Sequence, residues 1–230
     1  MWSGPRNIST AMLYSFKQRQ DTAVFDEPFF GCFLKKTGVW RPSREEVLQT
    51  MELDPDKVFK KINSFYEKPN VFLKNMANHM EGLNFEKIMN WKNIILLRHP
   101  LKVLNSYTKH IESPSTLDLA YLHQLQIIDF LQERGREFLI VNSDKICESP
   151  KTELQKICKF LELGFSEDML SWEKGPIKED GVWAKYWYHN VHNSTGFSNK
   201  TSPIKELNEN LKEIYEESLN HYHQIIKQHE

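Results

Sequence analysis

The chain has 230 residues, of which 40% are hydrophobic and 27% are charged, so we expect one sizeable domain with a packed core. A net charge of −1 argues against a protein that coats nucleic acid, and three cysteines without a CxxC pair argue against a disulfide framework. No apolar stretch is long enough to span a membrane and no secretory signal opens the sequence, so we predict a cytoplasmic protein.

The first half of the sequence predicts helices that alternate with short apolar strands. A helix over residues 10–18 is followed by the strand of "TAVFDEP", which ends in two acids and a proline. Residues 43–66 are polar and helical in pattern, and Ser43 with Glu46 is predicted to form a capping box. The runs "NVFLKNM" and "NIILLRHP" predict two further strands, each apolar and then charged.

The second half continues this alternation and ends in a long helix. A helix is predicted over residues 117–134, a strand in "REFLIVNSDK" and an amphipathic helix in "SPKTELQKICKFLEL". Residues 175–202 are rich in Gly, Trp, Tyr, His and Asn without periodicity, which predicts a long ordered loop. Residues 203–227 predict a helix with one packing stripe, formed by Leu207, Leu211, Ile214, Ser218, Tyr222 and Ile225.

The alternation predicts an α/β protein, a three-layer sandwich with a central parallel sheet of about five strands, as a single domain over residues 1–230. Little sequence precedes the first predicted loop, so the first strand is expected to be very short or incomplete. Polar residues follow four apolar runs directly, at Asp26-Glu27, Lys74-Asn75, Arg98-His99 and Asn142-Ser143-Asp144. Because ligands of parallel sheets bind at the carboxyl ends of the strands, we predict a shared cleft at that edge.

The segment "WSGPRNIST" has the composition of an anion-binding loop at the start of a helix. Gly4 allows a close turn, Pro5 fixes φ and Arg6 supplies a positive charge. Ser9 and Thr10 add hydroxyl donors beside the free N–H groups of a first helical turn. An ordinary helix cap at Ser9 is the alternative. Ser9-Thr10 stand where a Walker loop carries Gly-Lys, so the segment does not match a triphosphate site.

A second motif, "LLRHPLKVLNSY", places Arg98 at a strand end and Ser106 eight residues later in the next helix. An arginine and a serine in these positions can clamp a second phosphate. The two motifs resemble those of the P-loop sulfotransferases: "RNIST" resembles their 5′-phosphosulfate loop, and "RHPLKVLNSY" resembles their 3′-phosphate motif. "IVNSDKICESPKTELQKICKFLEL" is similar to the strand, acidic turn and helix of the same family.

A closer resemblance is to a sulfotransferase-like group with a WSGPRNxST start, through "WSGPRNISTAM", "DEP" and "DGVWAKYWYHNVHNSTGF". The resemblance implies a P-loop NTPase-like sulfotransferase fold, with 3′-phosphoadenosine 5′-phosphosulfate (PAPS) as sulfuryl donor and 3′-phosphoadenosine 5′-phosphate as product. No metal is predicted, because a sulfuryl group bears less negative charge than a terminal phosphoryl group, and side-chain cations and backbone donors can stabilise its transfer. The residues that it implies as donor-binding are Gly4, Pro5, Arg6, Asn7, Ile8, Ser9, Thr10, Arg98, Ser106, Trp183 and Lys185.

The chain departs from the pattern of this family at two positions of the loop. Arg6 stands where the family usually has lysine, and arginine can still bind an anion bidentately. Ile8 stands where the family often has glycine. Because isoleucine disfavours the left-handed φ that glycine permits, we predict that the loop takes a different local path.

Sulfuryl transfer needs a base for the acceptor oxygen and cations near the oxygens that gain charge. Glu27 resembles in its place the catalytic glutamate of carbohydrate-type sulfotransferases, and we predict it to be the base. His79 is the alternative base, although aryl-type enzymes place Lys and His two residues apart and Lys74 and His79 are five apart. Arg6 and Lys74 are predicted to stabilise charge. A capping acid at Glu27 and a core histidine at His79 are the structural alternatives.

The loop "KEDGVWAKYWYHNVHNSTGF" is predicted to close over donor and acceptor. Its aromatic residues, Trp183, Tyr186, Trp187 and Tyr188, are predicted to stack on adenine or to form a wall of the acceptor pocket, and Lys185 is predicted to reach the 3′-phosphate. The alternative is that the loop aromatics pin the loop to the core. His189 and His192 have no third ligand at a suitable spacing, so no metal is predicted.

The predicted reaction moves a sulfuryl group to a hydroxyl or amine of a small-molecule or carbohydrate acceptor. The acceptor pocket is predicted to be lined by the loop over residues 175–202 together with Phe29, Phe30, Phe33 and Trp40. No nucleic acid or membrane partner is expected, and a homodimer stays open. One alternative is a P-loop phosphotransferase, a small-molecule or nucleotide kinase, which needs Mg²⁺ and the missing Walker lysine. The other is a non-catalytic nucleotide-binding protein of the same fold, which binds the bisphosphate without transfer.

Overall fold

The computed structural model describes residues 1–199 and 206–228. Its centre is a sheet of five strands in the order β2-β3-β1-β4-β5, and every neighbouring pair is parallel. The strands are β1 (Trp2–Ser3), β2 (Thr22–Asp26), β3 (Asn70–Met76), β4 (Asn93–Leu97) and β5 (Phe138–Asn142). The predicted α/β sandwich with a central parallel sheet is confirmed.

The sheet is surrounded by helices. Within the described residues the α-helices are α1 (Ser9–Lys17), α2 (Phe30–Thr37), α3 (Arg44–Thr50), α4 (Pro55–Asn63), α5 (Pro100–Tyr107), α6 (Thr116–Leu119), α7 (Tyr121–Glu133), α8 (Ser143–Glu148), α9 (Pro150–Phe160), α10 (Ala184–Trp187), α11 (His189–His192) and α12 (Lys212–Lys227). Short 3-10 helices lie at Ala77–Met80, Phe85–Ile88, Glu167–Leu170 and Glu209–Leu211.

Alternate residues of β4 enter two different cores. Ile94 and Leu96 pack in one core with apolar residues of α1 and α9. Ile95 and Leu97 pack in the other with residues of α5, α7 and α12. Because successive strand residues point to opposite faces, a strand covered by helices on both faces is apolar throughout. This explains why "NIILL" is a continuous apolar run.

The central strand β1 is two residues long. It lies between β3 and β4, and Trp2 is fully buried with its indole N–H donating to Asn93 Oδ1 at 2.8 Å. The loop that follows β1 therefore starts in the middle of the sheet, at its carboxyl edge.

Residues 43–66 form two helices instead of one helical segment. Asp54 caps α4, and Pro55 occupies its first turn, where the missing N–H of proline costs nothing. The predicted capping box is wrong. Ser43 has φ 67°, forms no side-chain cap, and donates its hydroxyl to the Val182 carbonyl at 3.2 Å.

Other predicted helices are shorter or interrupted. The helix over residues 117–134 is broken at Ala120, which has φ 67° between α6 and α7. The C-terminal helix begins at Lys212, and its packing stripe is buried or partly buried against the core, while residues 203–205 lie outside the described residues. The loop over residues 175–202 contains α10 and α11, and residues 200–202 are likewise outside the description.

In the part of the chain that the structure describes, no helix has both the length and the apolar character that crossing a bilayer requires. That residues 1–230 form a single domain stays a prediction.

Candidate active site

The loop between β1 and α1 follows a strained path that the rest of the fold holds in place. Arg6 (φ 59°) and Ile8 (φ 58°) both lie in the left-handed region, which costs a residue with a side chain roughly 1–2 kcal/mol. The prediction that Ile8 forces a different path is wrong, because Ile8 adopts the left-handed φ that was expected to need glycine. The buried Asn7 amide donates to the Leu96 carbonyl at 3.1 Å and anchors the loop on β4. Strain of this kind concentrates at functional sites.

Gly4 brings this loop against the break between α6 and α7. A Cβ on Gly4 would lie 2.6 Å from the backbone oxygen of Leu119, the residue before Ala120. Glycine is needed here because two backbones meet closely.

We expect Gly4→Ala to lower the free energy of unfolding by about 1–3 kcal/mol, since the methyl group must displace the Leu119 backbone. Gly164→Ala is the control, because nothing lies within 4 Å of a Cβ there. Urea unfolding followed by circular dichroism measures both. Equal midpoints for the two variants would contradict the close approach.

The first turn of α1 has uncapped donors. Ile8 at the N-cap supplies no side-chain hydrogen bond, and Ser9 is the first helical residue. The alternative of an ordinary Ser9 cap is therefore wrong. Within residues 1–199 and 206–228 the hydroxyls of Ser9 and Thr10 have no hydrogen-bond partner. Free N–H groups and hydroxyls at a helix start suit a negatively charged oxygen.

The two predicted phosphate motifs are in direct contact. Arg98 donates from Nη1 to the Arg6 carbonyl at 2.8 Å, and Arg6 donates from Nε to Ser106 Oγ at 2.9 Å. These bonds join the loop after β1, the end of β4 and helix α5. A third hydrogen bond runs from Arg6 Nη1 to the Trp187 carbonyl at 3.4 Å. The loop over residues 175–199, called the late loop below, therefore borders the same cluster.

Among the described residues, no acidic side chain balances the positive charge of Arg6. Burial, and then the positive charge of Arg98, lower the pKa of Arg6 from its ordinary value. Arg98 has an acidic neighbour, with Nε 3.4 Å from Asp144 Oδ1, but within the described residues Arg6 forms no ion pair. A partly buried arginine beside a second cation is stabilised by an anion.

A second charged cluster is buried under the late loop. Lys74 lies inside β3 with its side chain 1% exposed, and does not end the strand as predicted. Its Nζ donates to Asp26 Oδ1 at 2.9 Å, to Glu27 Oε1 at 2.5 Å and to the Tyr188 hydroxyl at 2.5 Å. The Lys74 ammonium is thus committed to protein partners in this conformation. It positions Glu27 and does not face the cleft.

This cluster holds two carboxylates and one cation. Burial, and the neighbouring Asp26, raise the pKa of Glu27 against the opposing effect of Lys74. Burial alone would lower the pKa of Lys74, but Asp26 and Glu27 outweigh it and the net direction is upward. A glutamate with a raised pKa is better matched to proton transfer near neutral pH.

His79 lies beside Glu27 in the 3-10 helix after β3. Its Nδ1 is 4.0 Å from Glu27 Oε2, and its ring stacks on Phe30 with centroids 4.9 Å apart. Burial and then the positive charge of Lys74 hold the pKa of His79 well below its usual range, so the ring is neutral. His79 is therefore both a buried ring that packs against Phe30 and a neutral base close to Glu27.

The late loop supplies packing groups to the buried cluster. The Trp183 ring is 3% exposed, packs edge-on against Phe30 and donates its N–H to the Tyr188 hydroxyl at 2.9 Å. This burial contradicts the prediction that Trp183 stacks on adenine, because the ring has no free face in this conformation. Lys185 pairs with Glu46 on α3 at 2.6 Å. Its ammonium is therefore directed to that helix and not to Arg98, where the 3′-phosphate is predicted to bind.

Sequence reasoning missed two features of the cleft. Arg41 forms an ion pair with the buried Asp118, and Tyr107 stacks on Trp187 with centroids 5.9 Å apart. Both pairs join residues far apart in sequence, so no local pattern signals them. Among the described residues no group of three or more His, Cys, Asp or Glu is placed to hold a metal ion, and His192 bonds to Asp180 at 2.8 Å.

The fold and these clusters define an α/β protein with a cationic cleft at the carboxyl edge of a parallel sheet. The family model described as "Sulfotransferase domain" matches residues 1–228, and the chain belongs to that family. Membership of this family supports the prediction that the chain is an enzyme that transfers sulfate. The finer resemblance, to a group with a WSGPRNxST start, stays a prediction.

Two curated relatives come from Arabidopsis thaliana. Branched-chain-amino-acid aminotransferase-like protein 1 is 39% identical over 99% of this chain and 41% of its own length. Branched-chain-amino-acid aminotransferase-like protein 2 is 41% identical over 86% of this chain and 35% of its own length. The chain thus spans about two fifths of these relatives or less.

Solved structures share the fold at low identity. The sulfotransferase domain from the curacin biosynthetic pathway is 14% identical, covers 94% of this chain and 95% of its own, and has a TM-score of 0.58. The sulfotransferase from Alicyclobacillus acidocaldarius is 12% identical, covers 98% and 94% respectively, and has a TM-score of 0.60.

Proposed function

We propose that this chain transfers a sulfuryl group from PAPS to a hydroxyl or amine of a small-molecule or carbohydrate acceptor. The observation that carries the proposal is the contact of Arg98 and Ser106 with Arg6. One ligand with anionic groups at both ends of an adenosine fits such a cluster. PAPS is such a ligand.

The residues present suit the two ends of this donor. The uncapped first turn of α1, with Ser9 and Thr10, would bind the 5′-phosphosulfate. Arg98 and Ser106 would bind the 3′-phosphate, and Arg6 would lie between the two groups. Arg6, with no acidic partner among the described residues, would stabilise the charge that develops on the leaving oxygen.

Glu27 is the proposed base. Its Oε1 is held by Lys74, which leaves Oε2 on the side of His79. The acceptor O–H or N–H would give its proton to Oε2 as the new bond to sulfur forms. The bond from sulfur to the 5′-phosphate oxygen breaks in the same step, and that oxygen keeps the electron pair. The cytoplasmic location stays a prediction, and a homodimer stays open.

Isothermal titration with adenosine 3′,5′-bisphosphate tests the donor site. We expect the unmodified chain to bind, and Arg98→Ala to weaken binding by about tenfold to a hundredfold, the value of one or two lost charged hydrogen bonds. Ser106→Ala should weaken it less. Arg134→Ala is the control, because Arg134 pairs with Glu86 on the surface.

Three outcomes separate the candidate functions. No binding at millimolar bisphosphate would overturn the donor site. Preference for ATP with Mg²⁺ would favour the phosphotransferase. Tight bisphosphate binding with no transfer from PAPS to any acceptor in a broad hydroxyl and amine panel would favour the non-catalytic protein.

A further inference from the structure

A groove of about 530 Å³ lies between the α2–α3 connection, the start of α3 and α10. Trp40 and Tyr186 line it, with 68% and 48% of their surface exposed. In the described residues only four large hydrophobic side chains are exposed, and two of them meet here. Exposed aromatic rings that share one concave surface mark a binding site.

The walls of this groove are fixed to the fold at three points. Ser43 donates its hydroxyl to the Val182 carbonyl at 3.2 Å, and Lys185 bonds to Glu46 at 2.6 Å. Arg41 pairs with the buried Asp118, which also accepts hydrogen bonds from the N–H and hydroxyl of Ser115. A ligand would therefore meet a groove that is already formed.

Arg41 connects the groove to the proposed reaction centre. Arg41 lines the groove and pairs with the buried Asp118. The carbonyl of the adjacent Leu117 accepts a hydrogen bond at 3.1 Å from the amide of Asn78, the neighbour of His79. His79 Nδ1 lies 4.0 Å from Glu27 Oε2. A chain of direct contacts therefore joins a wall of the groove to the neighbourhood of the proposed base.

The charges of the groove point to a neutral ligand. Arg44 pairs with Glu45 at 2.8 Å and Lys185 with Glu46 at 2.6 Å, and Arg41 is paired as well. No charge excess is left to attract an ion. What remains is two aromatic faces surrounded by paired donors and acceptors.

A sugar ring has complementary chemistry, because its C–H face is apolar and its rim carries hydroxyls that donate and accept. We propose that the groove binds the acceptor and that this acceptor is a neutral saccharide or glycoside. The ring lies on Trp40 and Tyr186, and one hydroxyl extends past Arg41 to Glu27. This inference rests on the proposed function for its chemistry, but the binding site can be tested alone.

Ligand-observed NMR with cellobiose, maltose and lactose tests the site, with phenol as comparator, in the presence and absence of adenosine 3′,5′-bisphosphate. We expect millimolar binding of at least one disaccharide. Trp40→Ala and Tyr186→Ala should each weaken it by about tenfold, as the loss of an aromatic contact predicts. Tyr66→Ala is the control, because Tyr66 is 86% exposed and lies outside the groove.

The outcomes separate this inference from the proposed function. Bisphosphate binding without any disaccharide binding overturns the saccharide site and leaves the donor site intact. Phenol binding in place of disaccharide binding, or disaccharide binding that Trp40→Ala does not change, also overturns it. Disaccharide binding that depends on Trp40, without bisphosphate binding, supports the groove and overturns the proposed donor.

Discussion

Glu27→Gln is expected to lower kcat for sulfuryl transfer by about 10²–10⁴-fold, the usual contribution of a positioned general base. The amide retains the shape of the side chain and an oxygen that can accept from Lys74, but it cannot take a proton from the acceptor. The variant should fold, because the change leaves one buried carboxylate, Asp26, paired with one buried cation. Its affinity for the bisphosphate should match that of the unmodified chain.

The pH profile distinguishes loss of a base from loss of structure. Glu27 acts only when deprotonated, so kcat/KM of the unmodified chain should fall as the pH falls through the pKa of Glu27. Because that pKa is raised, the fall should begin above the ordinary glutamate value of about 4.3. Glu27→Gln should lack this acid limb.

Full activity in Glu27→Gln would transfer the role to His79, the neutral base 4.0 Å away. His79→Gln is then the informative variant. If Glu27 is the base, His79→Gln retains the acid limb of the pH profile. If His79 is the base, His79→Gln loses most of the activity.

Much of the sheet and of the cationic cleft could be predicted from local patterns. A buried parallel strand must be apolar on both faces, so "NIILL" identifies β4 without further information. Arg98 and Ser106 then follow at fixed positions, and the rule that parallel strands share a carboxyl edge places them near the first loop. The hydrogen bonds that Arg98 donates to Arg6 and that Arg6 donates to Ser106 agree with this placement.

The features that could not be predicted depend on distant partners. Lys74 has the pattern of a polar strand end, but its ammonium is buried by Tyr188, which lies 114 positions later in the chain. Ile8 has a left-handed φ next to Asn7, whose amide is held by the Leu96 carbonyl 89 positions away. Ala120 breaks a helix with no glycine or proline to signal it. In contrast, the start of α4 has a local signal in the sequence, because Asp54 is a capping residue and is followed directly by Pro55.

Lys74→Met is expected to lower the free energy of unfolding by about 3–5 kcal/mol, because it leaves two buried carboxylates without their cation. Methionine fills a similar volume, so the loss is electrostatic and not a cavity effect. Lys60→Met is the control, since Lys60 lies on the exposed face of α4. Urea unfolding at neutral pH, followed by circular dichroism, measures the difference.

The sign of the pH dependence identifies the cause. Burial raises the pKa of Glu27, and without Lys74 the effect that opposes this rise is lost. A carboxyl group with a raised folded-state pKa stabilises the fold only while it is protonated. The deficit of Lys74→Met should therefore be small near pH 4 and grow as the pH rises towards 7. Adding Asp26→Asn and Glu27→Gln to Lys74→Met should restore part of the lost stability. A deficit that stays constant with pH, and that the added substitutions do not reduce, would mean that packing and not charge holds Lys74 in place.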